Sequence, residues 1–140
     1  MPVPQPSLSG IFRPDDEQPT FRFDVRPEAT PAGVGGVRRL LRDALTAVRL
    51  DHDSPCLLLT ELLTNALVHG CDPSVVVELR AGRLLIAVAD RSPAQVERRA
   101  ESPTSTNGRG ILLVEALAEA WGVIPAGARG KAVWALMTAA

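Results

Sequence analysis

Tyrosine is absent from this chain of 140 residues, cysteine occurs twice, and lysine occurs once against fourteen arginines. Two cysteines cannot build a disulfide framework. Cys56 and Cys71 bracket an apolar stretch that reads as helix, and such a helix holds their Cα atoms roughly 20 Å apart, too far to bridge. No Cys/His spacing resembles a zinc site. Neither sign of charge is in excess: the net charge is −1 and the pI near 6.1, so nothing electrostatic recruits nucleic acid. No apolar run approaches the length of a membrane span. Met1 to Gly10 lacks both the basic start and the apolar run of a signal peptide. These absences lead us to expect a cytoplasmic protein with free thiols, with no direct nucleic-acid partner and no membrane.

What is present is a strong apolar content. Hydrophobic residues make up 46% of the chain, enough for one well-formed core in one domain. Residues 1–19 contain five prolines and the acidic cluster Asp15-Asp16-Glu17, and read as a flexible arm. The domain is expected over residues 20–140. It opens with Thr20-Phe21-Arg22-Phe23-Asp24-Val25, which alternates as a strand does. A helix follows from about Ala32 to Val48, with Val37, Leu40, Leu41, Ala44, Leu45 and Val48 at helical spacing. Ser54 as N-cap and Pro55 at the first helical position start a second helix that runs to His69, with Gly70 closing it.

Val75 to Arg80 and Arg83 to Ala89 read as strands joined by the two-residue turn Ala81-Gly82, and Asp90 ends the second of them. Arg91 to Arg109 is a polar loop, an unusual length inside a compact domain unless it serves a function. A third helix is expected from Ile111 to Ala120. Trp121 to Pro125 and Lys131 to Met137 form a closing pair of strands. The order strand, helix, helix, two strands, loop, helix, two strands predicts an α/β (α+β) two-layer sandwich, with a mostly antiparallel mixed sheet packed against three helices.

Three separated features stand out. On the second helix, Glu61 and Asn65 are four residues apart and share one face, with His69 one turn further on. A polar stripe among leucines costs free energy unless something bonds to it. Asp90 ends a strand and opens the polar loop. Gly108-Arg109-Gly110 precedes a helix, where free N–H groups and the positive end of the dipole suit phosphate.

In this order and spacing the three features resemble the boxes of the Bergerat-fold (GHKL) ATPases, a superfamily with a histidine-kinase-like ATPase domain. Glu61-x-x-x-Asn65 is similar to their N box, Asp90 with Ser92 to the start of the first glycine box, and Gly108-Arg109-Gly110-Ile111 to the second. The run Asn65-Ala66-Leu67-Val68-His69-Gly70, the Pro27-Glu28-Ala29 entry and the stretch Gly110 to Ala118 resemble the anti-sigma-factor serine kinases and the small actinobacterial ATP-binding regulators. The likeness spans about residues 20 to 138.

It implies ATP and Mg²⁺ as cofactors, with Glu61 as general base and Asn65 as the Mg²⁺ ligand. It implies that Asp90 accepts a hydrogen bond from the adenine amine. Ser92, Gly108, Arg109, Gly110 and Ile111 would complete the nucleotide site, under a lid formed by the loop from Arg91 to Asn107. The implied partners are a sigma factor or similar client and an anti-anti-sigma antagonist phosphorylated on Ser or Thr; relatives of this kind often dimerise. The chain departs from the pattern at Asp90-Arg91-Ser92-Pro93-Ala94, where both glycines of Asp-x-Gly-x-Gly are replaced. It departs again at Ala132, read as standing where relatives carry an adenine-binding Thr. Those departures are what a degenerate, non-catalytic binding module would show; the intact Glu61 and Asn65 are what a kinase needs. A detached sensor-kinase catalytic domain fits less well, because no phosphoacceptor helix accompanies it.

Overall fold

The computed structural model describes residues 10–12, 18–69, 72–91, 106–125 and 130–140. They form strand β1 (Phe21–Val25), helices α1 (Pro31–Ala47) and α2 (Asp53–His69), strands β2 (Ser74–Arg80) and β3 (Arg83–Asp90), helix α3 (Thr106–Leu117), and strands β4 (Ala120–Pro125) and β5 (Lys131–Thr138). The five strands make one sheet in the order β1-β2-β3-β5-β4. All four pairings are antiparallel, so the expected sandwich is present with no parallel member in its sheet.

One face of the sheet carries the helices. Phe21, Phe23 and Val25 turn toward them from β1, and Arg22 and Asp24 turn away, as period-two alternation requires. From the central strands the inward row is Leu84, Ile86 and Val88 of β3 with Val133, Ala135 and Met137 of β5. From above, α1 contributes Val37, Leu41 and Leu45. Leu40, expected among the inner positions, is 41% exposed, because the buried stripe of α1 is only one residue wide per turn. The other face of the sheet is covered in part by the chain's own start: Phe12 packs with Leu85 and Leu136. The guanidinium of Arg80 lies 5.1 Å from the Phe12 ring centre and bonds Glu78 at 2.8 Å. Residues 10–12 of the expected arm are therefore seated on the sheet; 1–9 and 13–17 lie outside the described residues.

Helix boundaries follow local chemistry. Thr30 caps α1, its hydroxyl accepting from the Gly33 N–H at 3.1 Å, and Pro31 opens the first turn, where no N–H bond is needed. α2 starts before the expected Ser54: the Asp51 carboxylate accepts from the Asp53 N–H at 3.2 Å, and the Cys56 N–H already bonds the His52 carbonyl. Pro55 thus sits within the first turn rather than at its first position. Gly70, the expected helix terminator, lies outside the described residues. α3 differs most. It begins at Thr106 and ends at Leu117, so Gly108-Arg109-Gly110 lies inside its opening turns rather than ahead of it. Burial of Val114, with Leu117 packed beside it, holds this helix in spite of its two glycines.

The β2–β3 turn is as expected, with both residues at positive φ: Ala81 at 51° and Gly82 at 75°. Such a turn favours Asn-Gly, and alanine is strained there. Ala81→Asn is expected to raise the unfolding free energy by about 0.5–1 kcal/mol in urea denaturation. A fall in stability would show that Ala81 is not held in the left-handed region.

Candidate functional site

α2 is the middle helix of its layer. It packs on β3 and is flanked by α1 and α3. Leu58, Leu59, Leu62, Leu63 and Ala66 are buried, whereas Leu57, Thr64 and Val68 are exposed. Glu61 and Asn65 are half-buried and occupy the shoulder between these arcs, one turn apart. Both can direct polar atoms along the edge of the layer without sinking them in the leucine core. His69 ends the helix; its side chain lies outside the described residues.

Asp90 continues the inward row of β3 after Leu84, Ile86 and Val88, so its carboxylate enters the interface between sheet and helices. It is 5% exposed. Directly across the ladder stands Lys131 of β5, itself 2% exposed. The Lys131 ammonium donates to both carboxylate oxygens, at 3.2 Å to Oδ1 and 2.9 Å to Oδ2. The chain's single lysine is thus spent on Asp90. Sequence reasoning did not single it out, although one lysine among fourteen arginines, at the head of a strand, was a signal in plain view. The alternation of β5 also corrects the reading of Ala132. Ala132 lies on the outer face with Trp134 and Leu136, and Lys131 is the residue turned toward Asp90.

Gly130 secures this junction. Its φ is +103°, and a methyl group added there would overlap the Asp90 carbonyl. The entry to β5 is pressed against the end of β3 so closely that only glycine fits.

Connectivity gathers the other elements at the same end of the sheet. From His69 the chain needs only residues 70–73 to reach Ser74, whose partner in the ladder is Ala89. Asp72 in that link lies 3.7 Å from Arg91, the residue after Asp90. The last turns of α2, with Asn65, therefore lie near Asp90. β4 starts at the far end, Ala120 facing Leu136, and finishes with Pro125 facing Lys131. The two-residue link from α3 to β4 reverses the chain there, which points the start of α3 back toward the Asp90 end. The first N–H groups of a helix have no partner within it, and in α3 these belong to the turn that begins at Thr106 and includes Gly108. Gly110 and the Ile111 amide stand deeper in the helix. Ser92 and the rest of the expected lid up to residue 105 lie outside the described residues, as do the side chains of Arg109 and Ile111.

Among the described residues no three His, Cys, Asp or Glu side chains converge on a metal position. Mg²⁺ needs no such cage: one protein oxygen together with phosphate and water oxygens suits it, and the Asn65 amide fits that role. Cys56 is a free thiol with its Sγ 3.7 Å from the Arg38 carbonyl. Burial pushes this thiol above its ordinary value, with Arg38 and Arg42 acting against the shift, so it behaves as core rather than as a nucleophile. No helix among the described residues is long and apolar enough to cross a membrane.

Comparison with known proteins places this geometry. The profile of the histidine kinase-like ATPase domain matches residues 28–137. No characterised protein matches the chain by sequence. Among solved structures, the crystal structure of the RsbU and RsbW domains of a Mycobacterium tuberculosis protein superposes with a TM-score of 0.65 at 22% identity. The match covers 86% of this chain and 33% of that one, so the chain spans about a third of the solved protein.

The buried ion pair makes a direct prediction. Breaking such a pair by removing one partner costs about 3–5 kcal/mol, whereas replacing both partners by well-packed apolar residues of similar volume is close to neutral. Asp90→Asn, which leaves Lys131 without its counter-ion, should therefore lose stability of that order in urea denaturation, and Asp90→Leu/Lys131→Met should recover most of it. Equal stability of the single variant and the native chain would rule the pair out.

Proposed function

The chain belongs to the histidine kinase-like ATPase domain family, and from that premise we propose that it is an ATP-dependent regulator of the anti-sigma type that phosphorylates a Ser or Thr of an antagonist protein. The observation that carries this reading is the Glu61/Asn65 pair on the shoulder of α2, near the end of β3 that bears Asp90. A protein that only sequestered a partner would have no chemical need for a carboxylate and an amide at that position. The fold it shares with part of a solved protein made of RsbU and RsbW domains adds support.

In this mechanism Asp90 accepts the adenine amine and fixes the base end of ATP. The amides at the start of α3, including that of Gly108, would receive the phosphates, and Ser92, Arg109, Gly110 and Ile111 would complete the nucleotide site. Asn65 would hold a Mg²⁺ ion, which would supply positive charge to offset that of the phosphates. Glu61 takes the proton from the Ser or Thr hydroxyl as its oxygen bonds the γ-phosphorus. The bond from that phosphorus to the bridging oxygen breaks, and ADP leaves. Phosphoryl transfer of this kind depends mainly on positioning and charge stabilisation, and the general base contributes about 10²–10⁴-fold.

The client would be a sigma factor or similar regulator held on a surface outside the nucleotide pocket. The chain is expected to act as a cytoplasmic protein, and to pair with a second copy as related regulators often do. One second reading has a specific motive: the replaced glycines after Asp90 favour a degenerate module that binds a partner without phosphoryl transfer.

Two experiments test these assignments. Asn65→Ala should fold and should lose most of the Mg²⁺-dependent gain in ATP affinity, measured by titration with and without the metal; an unchanged metal dependence would remove Asn65 from the site. Glu61→Gln should bind ATP and client yet fail to transfer labelled phosphate to a candidate antagonist, with a rate at least about 10²-fold below the native protein. Transfer at the native rate would exclude Glu61 as the base. No transfer by the native protein, with partner binding indifferent to nucleotide, would favour the binding module.

A further inference from the structure

We propose that Lys131 is a positioning residue that sets the purine preference of the site by acting through Asp90. The proposal rests on the nucleotide reading above and extends it to a residue that lies outside the motifs on which that reading stands.

Three observations support it. Lys131 is the only lysine of a chain with fourteen arginines, and its side chain is 1% exposed. Its ammonium contacts both oxygens of one carboxylate, at 3.2 and 2.9 Å. Gly130, pressed on the Asp90 carbonyl at a φ of +103°, prevents the strand entry from sliding and holds ammonium and carboxylate in register.

The chemistry follows from what a carboxylate can accept. Ionised, it only accepts hydrogen bonds, and its two oxygens offer about four sites. Lys131 bonds one site on each oxygen. The exocyclic amine of adenine donates to such a group; the carbonyl that guanine carries at the same place is repelled by it. The fixed ammonium, bonded to both oxygens, stops the carboxylate from turning away from the base. Arginine would serve less well, because its planar fork pairs both oxygens side by side and fills the space the base requires.

The test compares ATP and GTP affinities of the native chain with those of Lys131→Met and Lys131→Gln. Folding of each variant is checked by circular dichroism, and Lys131→Gln, which keeps a donor without the charge, serves if Lys131→Met does not fold. The native chain is expected to prefer ATP by at least about tenfold. Removing the charge should weaken ATP binding by about 10- to 100-fold and bring the two affinities within about threefold of each other. Folded charge-free variants with the native preference would overturn the proposal. So would tighter ATP binding by them, since that would mean the ammonium competes with the base. If the native chain itself binds ATP and GTP alike, or neither, the nucleotide reading fails first and is recognised by that result alone.

Discussion

Helix α2 is enclosed on three sides, by β3 beneath it and by α1 and α3 beside it. A helix in that position must be apolar over most of its circumference, and Leu58, Leu59, Leu62, Leu63 and Ala66 meet this demand. Only a narrow arc remains where polar atoms are affordable. Glu61 and Asn65 stand at the border of that arc, so the constraint that organises the core also determines where chemistry can be placed. The antiparallel sheet supplies the complementary part. Its central strand carries the inward row of large residues to its last position, and there the row changes from Val88 to Asp90.

A carboxylate at the end of a buried row needs compensation. Here it comes from the neighbouring strand, and β3–β5 register brings Lys131 directly opposite. The two charges depend on each other: either one alone would be stranded in a layer interface with little access to water. This coupling changes how substitutions at Asp90 are to be read. A loss of nucleotide binding in Asp90→Asn reports both the missing acceptor and an uncompensated lysine, and only the paired substitution separates the two effects.

The outer face of the sheet shows a different economy. Phe12 covers Leu85 and Leu136 and stacks under Arg80, so a short piece of the proline-rich start shields apolar surface that the helices leave bare. Nothing in the composition of residues 1–19 distinguished this aromatic from its flexible surroundings, because a single anchoring contact leaves no periodic trace.

The sequence by itself determined the elements whose signals are local: the alternation of Phe21 to Val25, the Ala81-Gly82 turn, the apolar length of α2 and the spacing of Glu61 and Asn65. Periodicity and turn chemistry act over a few residues, so a chain can be read for them directly. It also determined the order of the boxes, on which the resemblance to the ATPase family rested. Less legible were the start of α2, where Asp51 and not Ser54 supplies the capping oxygen, and the limits of α3, which packing extends over Gly108 and Gly110 against their propensity. Only the tertiary structure decided which face of β5 meets Asp90. A one-residue difference in register exchanges the faces of a strand, and that difference puts Lys131, rather than Ala132, beside the carboxylate.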